Sequence, residues 1–241
     1  MAVVGSGINL NLEIDGQAVF INAYQCNKFN SNGAPCPSIQ VSGLFALNDS
    51  NGPGASIFSP PMLDYALNLE PVSVCFQGPH IQEKLSTAYI QHLEINILAG
   101  EVVSWKATFL GTNINIDTIH NQIARLTVPT YTKLLTWDRC NFISRHNFEC
   151  QSVNLSVYND MHLTTDEQYQ LKYDFGTQVV SGNIHVYSDL NQGNALPQER
   201  EEETVEIKMG DSHWFFPIIY TGCTSSIVNQ RHIYRYTFQE V

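Results

Sequence analysis

Polar and apolar residues alternate with a period of two through much of the chain, the spacing of strands that bury one face. In the first such run Ile8, Leu10, Leu12 and Ile14 point one way, and Asn9, Asn11, Glu13 and Asp15 the other. "EVVSWKATFLG" predicts Val103, Trp105, Ala107 and Phe109 inward against Ser104, Lys106 and Thr108, and "QSVNLSVYND" does the same with Val153, Leu155 and Val157. Asp15-Gly16, Ala99-Gly100 and Asn159-Asp160 follow these runs as turns. Helical signals are few. "SPPMLDYALNL" predicts a short helix capped by Ser59, with proline tolerated in the first turn, and "TTDEQYQL" is a weaker candidate. The chain is therefore read as mainly β with one or two short helices.

The longest irregular stretch is "NDSNGPGASIFSPP", residues 48–61, whose Gly-Pro-Gly and paired prolines exclude an interior strand. A loop of that length in a compact β-domain predicts a functional segment or an interaction arm.

The pattern repeats itself in order. "NLNLEIDG" (9–16) aligns with "SVNLSVYN" (152–159), pairing Leu10 with Val153, Leu12 with Leu155 and Ile14 with Val157. The Val-Ser-Gly of "QVSGLFALND" (40–49) aligns with that of "VVSGNIHVYSD" (179–189), pairing Gly43 with Gly182. "LEINI" (93–97) aligns with "VEIKM" (205–209), and "IARLTV" (123–128) with "IYRYTF" (233–238). Each alignment keeps the inward or outward parity of the side chains, which a slip of one residue would invert. Two β-units are expected, residues 1–128 with the inserted loop 48–61 and residues 129–241, joined near "VPTYTK" where Pro129 ends a strand. The competing reading is that short Ile, Val and Thr matches arise in any antiparallel protein.

Charge narrows the function classes. With 12 basic and 23 acidic residues the chain carries a net charge of −11. That argues against tight binding to phosphate backbones, where cationic surface supplies most of the affinity. The run Glu199 to Glu203, broken by Arg200, reads as a solvated loop. No stretch approaches the roughly 20 apolar residues of a membrane helix, and "MAVVGSGINLNLEIDG" lacks the basic start and apolar run of a signal peptide, so a protein made in the cytoplasm is expected. The cysteines at 26, 36, 75, 140, 150 and 223 lack the close spacing of a zinc site and are expected as reduced thiols rather than disulfides or ligands.

Catalytic signals are missing. The eight histidines are scattered, and no nucleophile elbow, phosphate loop or dinucleotide motif occurs. Asp138, Arg139 and Cys140 stand together, where a cation could lower a thiol pKa, but a strand-edge ion pair is the simpler expectation. "HWFFPIIY" (213–220) reads as a strand buried on both faces or paired at a subunit interface, ahead of a sugar-binding surface. No enzyme, no cofactor, no metal and no catalytic residue are expected.

The second half of the chain resembles a known family. "CQSVNLSVYNDMHLTTDEQYQLKYDFGTQVVSGNIHVYSD" is similar to the central strands of major tail tube proteins of long-tailed bacteriophages, including their Val-Ser-Gly strand. "LEINILAGEVVSWKATFLGT" resembles their strand, glycine turn and strand, and "RHIYRYTFQEV" their closing strand. "YQCNKFNSNGAPCPSIQ" has no counterpart. The resemblance implies two tandem β-sandwich or half-barrel units whose sheets join those of neighbours into a ring, and rings that stack into a channel for genome ejection. Such rings present six domains, so a two-unit chain would close as a trimer with pseudo-sixfold symmetry and a one-unit chain as a hexamer. The implied partners are copies of the chain, other tail proteins at the tube ends, and DNA passing through the lumen without specific binding; the implied location is the virion, with no membrane. Loop 48–61 would then contact the next ring. The alternative is a carbohydrate- or receptor-binding β-sandwich of a virion tip with Trp105, Trp137 or Trp214 as stacking platforms. A hydrolase on a β-sandwich scaffold ranks third, because no carboxylate pair or metal set can be located.

Overall fold

In the computed structural model the described residues are 9–29, 35–48, 56–57, 61–78, 81–118, 132–146, 149–165, 167, 171–188, 196–228 and 231–241. The chain runs through β1 (Asn9–Ile14), β2 (Gln17–Phe29), β3 (Pro35–Leu44), β4 (Ala46–Asn48), β5 (Ser56–Ile57), the helix α1 (Met62–Asn68), β6 (Val72–Gln77), β7 (Ile81–Leu98) and β8 (Ser104–Gly111). It continues through β9 (Ile114–Thr118), β10 (Thr132–Leu134), a 3-10 turn (Trp137–Arg139), β11 (Cys140–Ile143), β12 (Glu149–Thr165) and β13 (Leu171–Ser188). Then follow β14 (Glu202–Met209), β15 (Ser212–Val228) and β16 (Arg231–Glu240). The fold is mainly β, as the period-two pattern predicts, with a six-stranded barrel and additional strands.

Local chemistry sets the first hairpin. Asp15 and Gly16 both have positive φ, 49° and 73°, the geometry whose twist matches flanking antiparallel strands. β1 therefore folds directly onto β2, with Ile14 opposite Gln17. The barrel then runs β1–β2–β3–β8–β7–β6 and closes where β6 pairs with β1. The predicted inward residues of its strands are buried: Leu12, Ile14, Trp105, Ala107 and Phe109 are each at most 2% exposed, as is Val103 just before β8.

The second set, β12–β13–β16–β15–β14–β11, follows the same neighbour order as β2–β3–β8–β7–β6–β1 but is not closed. Among the described residues β11 pairs with β14 alone, and the free side of β12 is bonded to β7 of the barrel. This seam runs antiparallel from Ser152 opposite Leu98 to Tyr158 opposite His92. Val153, Leu155 and Val157 meet Ile97, Ile95 and Leu93 across it, all buried in one cluster that spans both sets.

Gly43 and Gly182 occupy matching places in these two sets. A Cβ on Gly43 would lie 2.2 Å from the Phe20 carbonyl and 2.7 Å from the Trp105 ring. One on Gly182 would lie 2.2 Å from the Asn154 carbonyl and 2.5 Å from the Phe238 ring. In both, an aromatic ring from the facing strand (β8 or β16) lies over a glycine that has no side chain to fill the space. The other alignments do not survive as structural equivalents. "NLNLEIDG" forms β1, which in neighbour order corresponds to β11 and not to β12. "LEINI" lies in β7, the counterpart of β15, whereas "VEIKM" lies in β14. Alternation fixes which face of a strand is buried but carries no information about which neighbour it bonds. "IARLTV" and Pro129 lie outside the described residues.

Three local expectations change. Asn159-Asp160 is no turn: β12 runs through it to Thr165 with a bulge, and Asn159 is buried. "TTDEQYQL" begins and ends in strand, since Thr164 and Thr165 end β12 and Leu171 starts β13, and residues 166 and 168–170 are not described. The helix near 62–68 forms, but its cap position is Pro61 and no side-chain cap bond is made; Ser59 lies outside the described residues. In loop 48–61, Ser56–Ile57 pairs back on β4 in a small sheet with β10, and residues 49–55 and 58–60 are not described. Of "YQCNKFNSNGAPCPSIQ", residues 24–29 belong to β2 and 35–40 to its partner β3, and residues 30–34 are not described.

Candidate assembly surface

The helix joins the two sets. Buried Asn159 donates from Nδ2 to the carbonyls of Ala66 (2.9 Å) and Ile90 (2.8 Å). Gln178 on β13 reaches the Ala66 and Leu67 carbonyls at 3.1 Å and donates to Asn159 Oδ1 at 2.8 Å. The last carbonyls of a helix have no partner within it, so these two amides satisfy the end of α1. Trp214 of β15 donates from Nε1 to Asp64 at 2.9 Å at the other end. The far end of the β12–β13 hairpin also crosses onto the barrel, where Tyr173 donates to the Gly111 carbonyl at 3.0 Å and packs edge-on against Tyr89.

The polar face of the seam is equally specific. Asn154 Nδ2 donates to Asn96 Oδ1 at 2.6 Å and to Glu94 at 2.9 Å, and His92 meets Ser156 Oγ at 3.0 Å. Beside it lies an open groove of about 500 Å³, whose lining includes Glu94, Asn154, Asn183, His185 and Arg235. Burial and the Arg235 guanidinium hold the His185 imidazole below its ordinary pKa. The unfolded chain then binds a proton at His185 at higher pH than the folded chain. Stability therefore falls as pH drops below the ordinary histidine value of about 6.5. We expect His185→Gln to reduce that fall, read as urea midpoints at about pH 7.5 and about pH 5.5; an unchanged slope would assign it to other groups.

The residues singled out from sequence are dispersed. Trp105 is 2% exposed inside the barrel and offers no platform to a sugar. Trp137 and Trp214 are half-buried against the core, on the 3-10 turn and β15 respectively. The Cys140 thiol is pushed up to about 12 by burial and by Asp138, which is the reverse of an activated nucleophile. Asp138 accepts a hydrogen bond from Thr136 Oγ1. The cysteines are all free thiols: Cys75 is buried, Cys223 exposed and the others intermediate. Among the described residues no group of histidine, cysteine and carboxylate side chains is arranged to hold a metal, and no helix is long and apolar enough to cross a membrane.

Two stretches differ from expectation. "HWFFPIIY" buries one face only: Phe216, Ile218 and Tyr220 are at most 2% exposed while Phe215 is 65% exposed. His213, Phe215 and Pro217 on its other face are exposed. The acidic run is not wholly a solvated loop. Glu203, the second residue of β14, has its side chain 2% exposed and accepts from Ser144 Oγ, the Arg145 amide and the Tyr220 hydroxyl. Sequence reasoning missed Glu203, Asn159 and Gln178, because nothing in a polar residue's spacing announces a partner about 20 to 110 residues away. The chain matches no protein-family model and no curated protein.

Proposed function

We propose that the chain is a structural assembly protein, a tail tube subunit whose rings stack into the channel for genome ejection in a long-tailed bacteriophage virion. The observation that carries this reading is the seam. A six-strand set left open among the described residues, and bonded at its edge to a barrel with the same strand order, is the arrangement that units sharing one continuous sheet around a ring would have. Here the sharing occurs once inside a single chain.

On this reading the chain holds two units, one on each side of the segment that links β9 to β10, and three chains close a ring with pseudo-sixfold symmetry. The acidic balance, −11 overall, suits a wall along which a polyanion slides without adhering. Its partners are copies of itself and the tail proteins at the tube ends.

Electron microscopy of the purified full chain tests the proposal. Hollow tubes or closed rings are expected, and the mass of a dissociated ring should equal three chains. Six chains per ring would overturn the two-unit reading and retain the tube. A chain that stays monomeric at all concentrations would overturn both.

A further inference from the structure

We infer that the free edge of β15, Cys223–Val228, is where a second copy of this chain pairs strand to strand. The inference rests on the assembly reading above and goes beyond it by naming the strand.

β15 is covered unevenly. β14 bonds one side of it from Ser212 to Ile219, and β16 bonds the other from Ile218 to Val228. Backbone bonds to Arg200 and Glu201 carry that side on to Tyr220, and beyond Tyr220 it pairs with no strand among the described residues. A register shift lies between Tyr220 and Gly222, and from Cys223 onward the strand is regular. Residues 223–227 are exposed, with Ile227 at 67%.

The chain itself contains the filled version of this place. β7 lies between β6 and β8 as β15 lies between β14 and β16. The last β6 pair on β7 is at Ala88, and from His92 to Leu98 that same edge is taken by β12. No strand among the described residues takes the corresponding edge of β15.

Composition favours another copy as the occupant. Exposed edges are ordinarily guarded by charge or proline, yet "CTSSIV" has neither, and all of β15 lacks Asp, Glu, Lys and Arg. In a chain of net charge −11, two copies approach with least repulsion along an uncharged strand.

Cys223, the exposed one of the six thiols, provides a native probe. We expect a bulky maleimide to modify Cys223 readily in the dilute free chain and at least about tenfold more slowly in sedimented assemblies, as strand pairing would bury it. Ser226→Lys combined with Ile227→Lys should abolish assembly where the unaltered chain assembles, with circular dichroism unchanged and the thermal midpoint within a few degrees. Equal labelling of Cys223 in free and assembled chains would overturn the inference and leave the tube reading standing, as would assembly of the double variant. Protection of Cys223 already in the monomer would also overturn it, by showing that the chain covers its own edge. Failure of the unaltered chain to assemble would instead overturn the reading on which the inference rests. Should the double variant unfold, the labelling contrast in the unaltered chain decides alone.

Discussion

Gly43→Ala and Gly182→Ala should each destabilise the chain by about 2 to 3 kcal/mol, although alanine is the smallest side chain that can be added. The added carbon would lie 2.2 Å from a backbone carbonyl in both cases, on Phe20 or Asn154, and within 2.7 Å of an aromatic ring. Neither carbonyl can withdraw without breaking strand pairing, and the rings of Trp105 and Phe238 are themselves at most 2% exposed. Gly222→Ala is the control: its new carbon meets only the Thr237 hydroxyl, at 3.0 Å, so the cost should be well under half as large. Denaturant midpoints measure all three. Equal effects at 43, 182 and 222 would mean that loss of glycine in a strand, and not the ring above it, sets the cost.

Asn159→Leu should cost about 3 kcal/mol, since the branched shape is kept while two carbonyls lose a donor. The Ala66 carbonyl retains Gln178, but the bond from Asn159 to Ile90 and the one from Gln178 to Asn159 disappear. Asn159→Asp should be worse at neutral pH, because a carboxylate would face carbonyl oxygens it cannot bond. Burial raises the pKa of such an acid above its unfolded value, so its penalty grows as pH rises and eases as pH falls. His162→Ala, at an exposed position on the same strand, should change stability by under about 0.5 kcal/mol. If Asn159→Leu proves as mild as His162→Ala, α1 is held by its apolar contacts through Met62, Leu63 and Ala66 and not by its amide partners.

The glycine and Asn159 positions probe different depths of legibility. The glycines were visible as a repeated Val-Ser-Gly, and the repetition has a local cause: a glycine in one strand must face an aromatic residue in the next. By sequence Asn159 reads as a turn residue. Asparagine before aspartate favours turns when solvent supplies the competing hydrogen bonds, but here the side chain is enclosed and finds carbonyls on α1 and β7.

The sequence by itself determined the strands and their faces, because a buried face needs an apolar residue at every second position whatever lies across from it. It also determined the tight turn at Asp15-Gly16 and the short helix after the paired prolines. Only the tertiary structure decided which edges meet. Backbone hydrogen bonds are alike at every residue, so β12 could have bonded β11 and closed a second barrel as readily, by pattern, as it bonds β7. The choice follows from non-local contacts: Leu155 against Ile95 in one shared core, the Asn154–Asn96 pair on the opposite face, and α1 tied across the two sets by Asn159, Gln178 and Trp214.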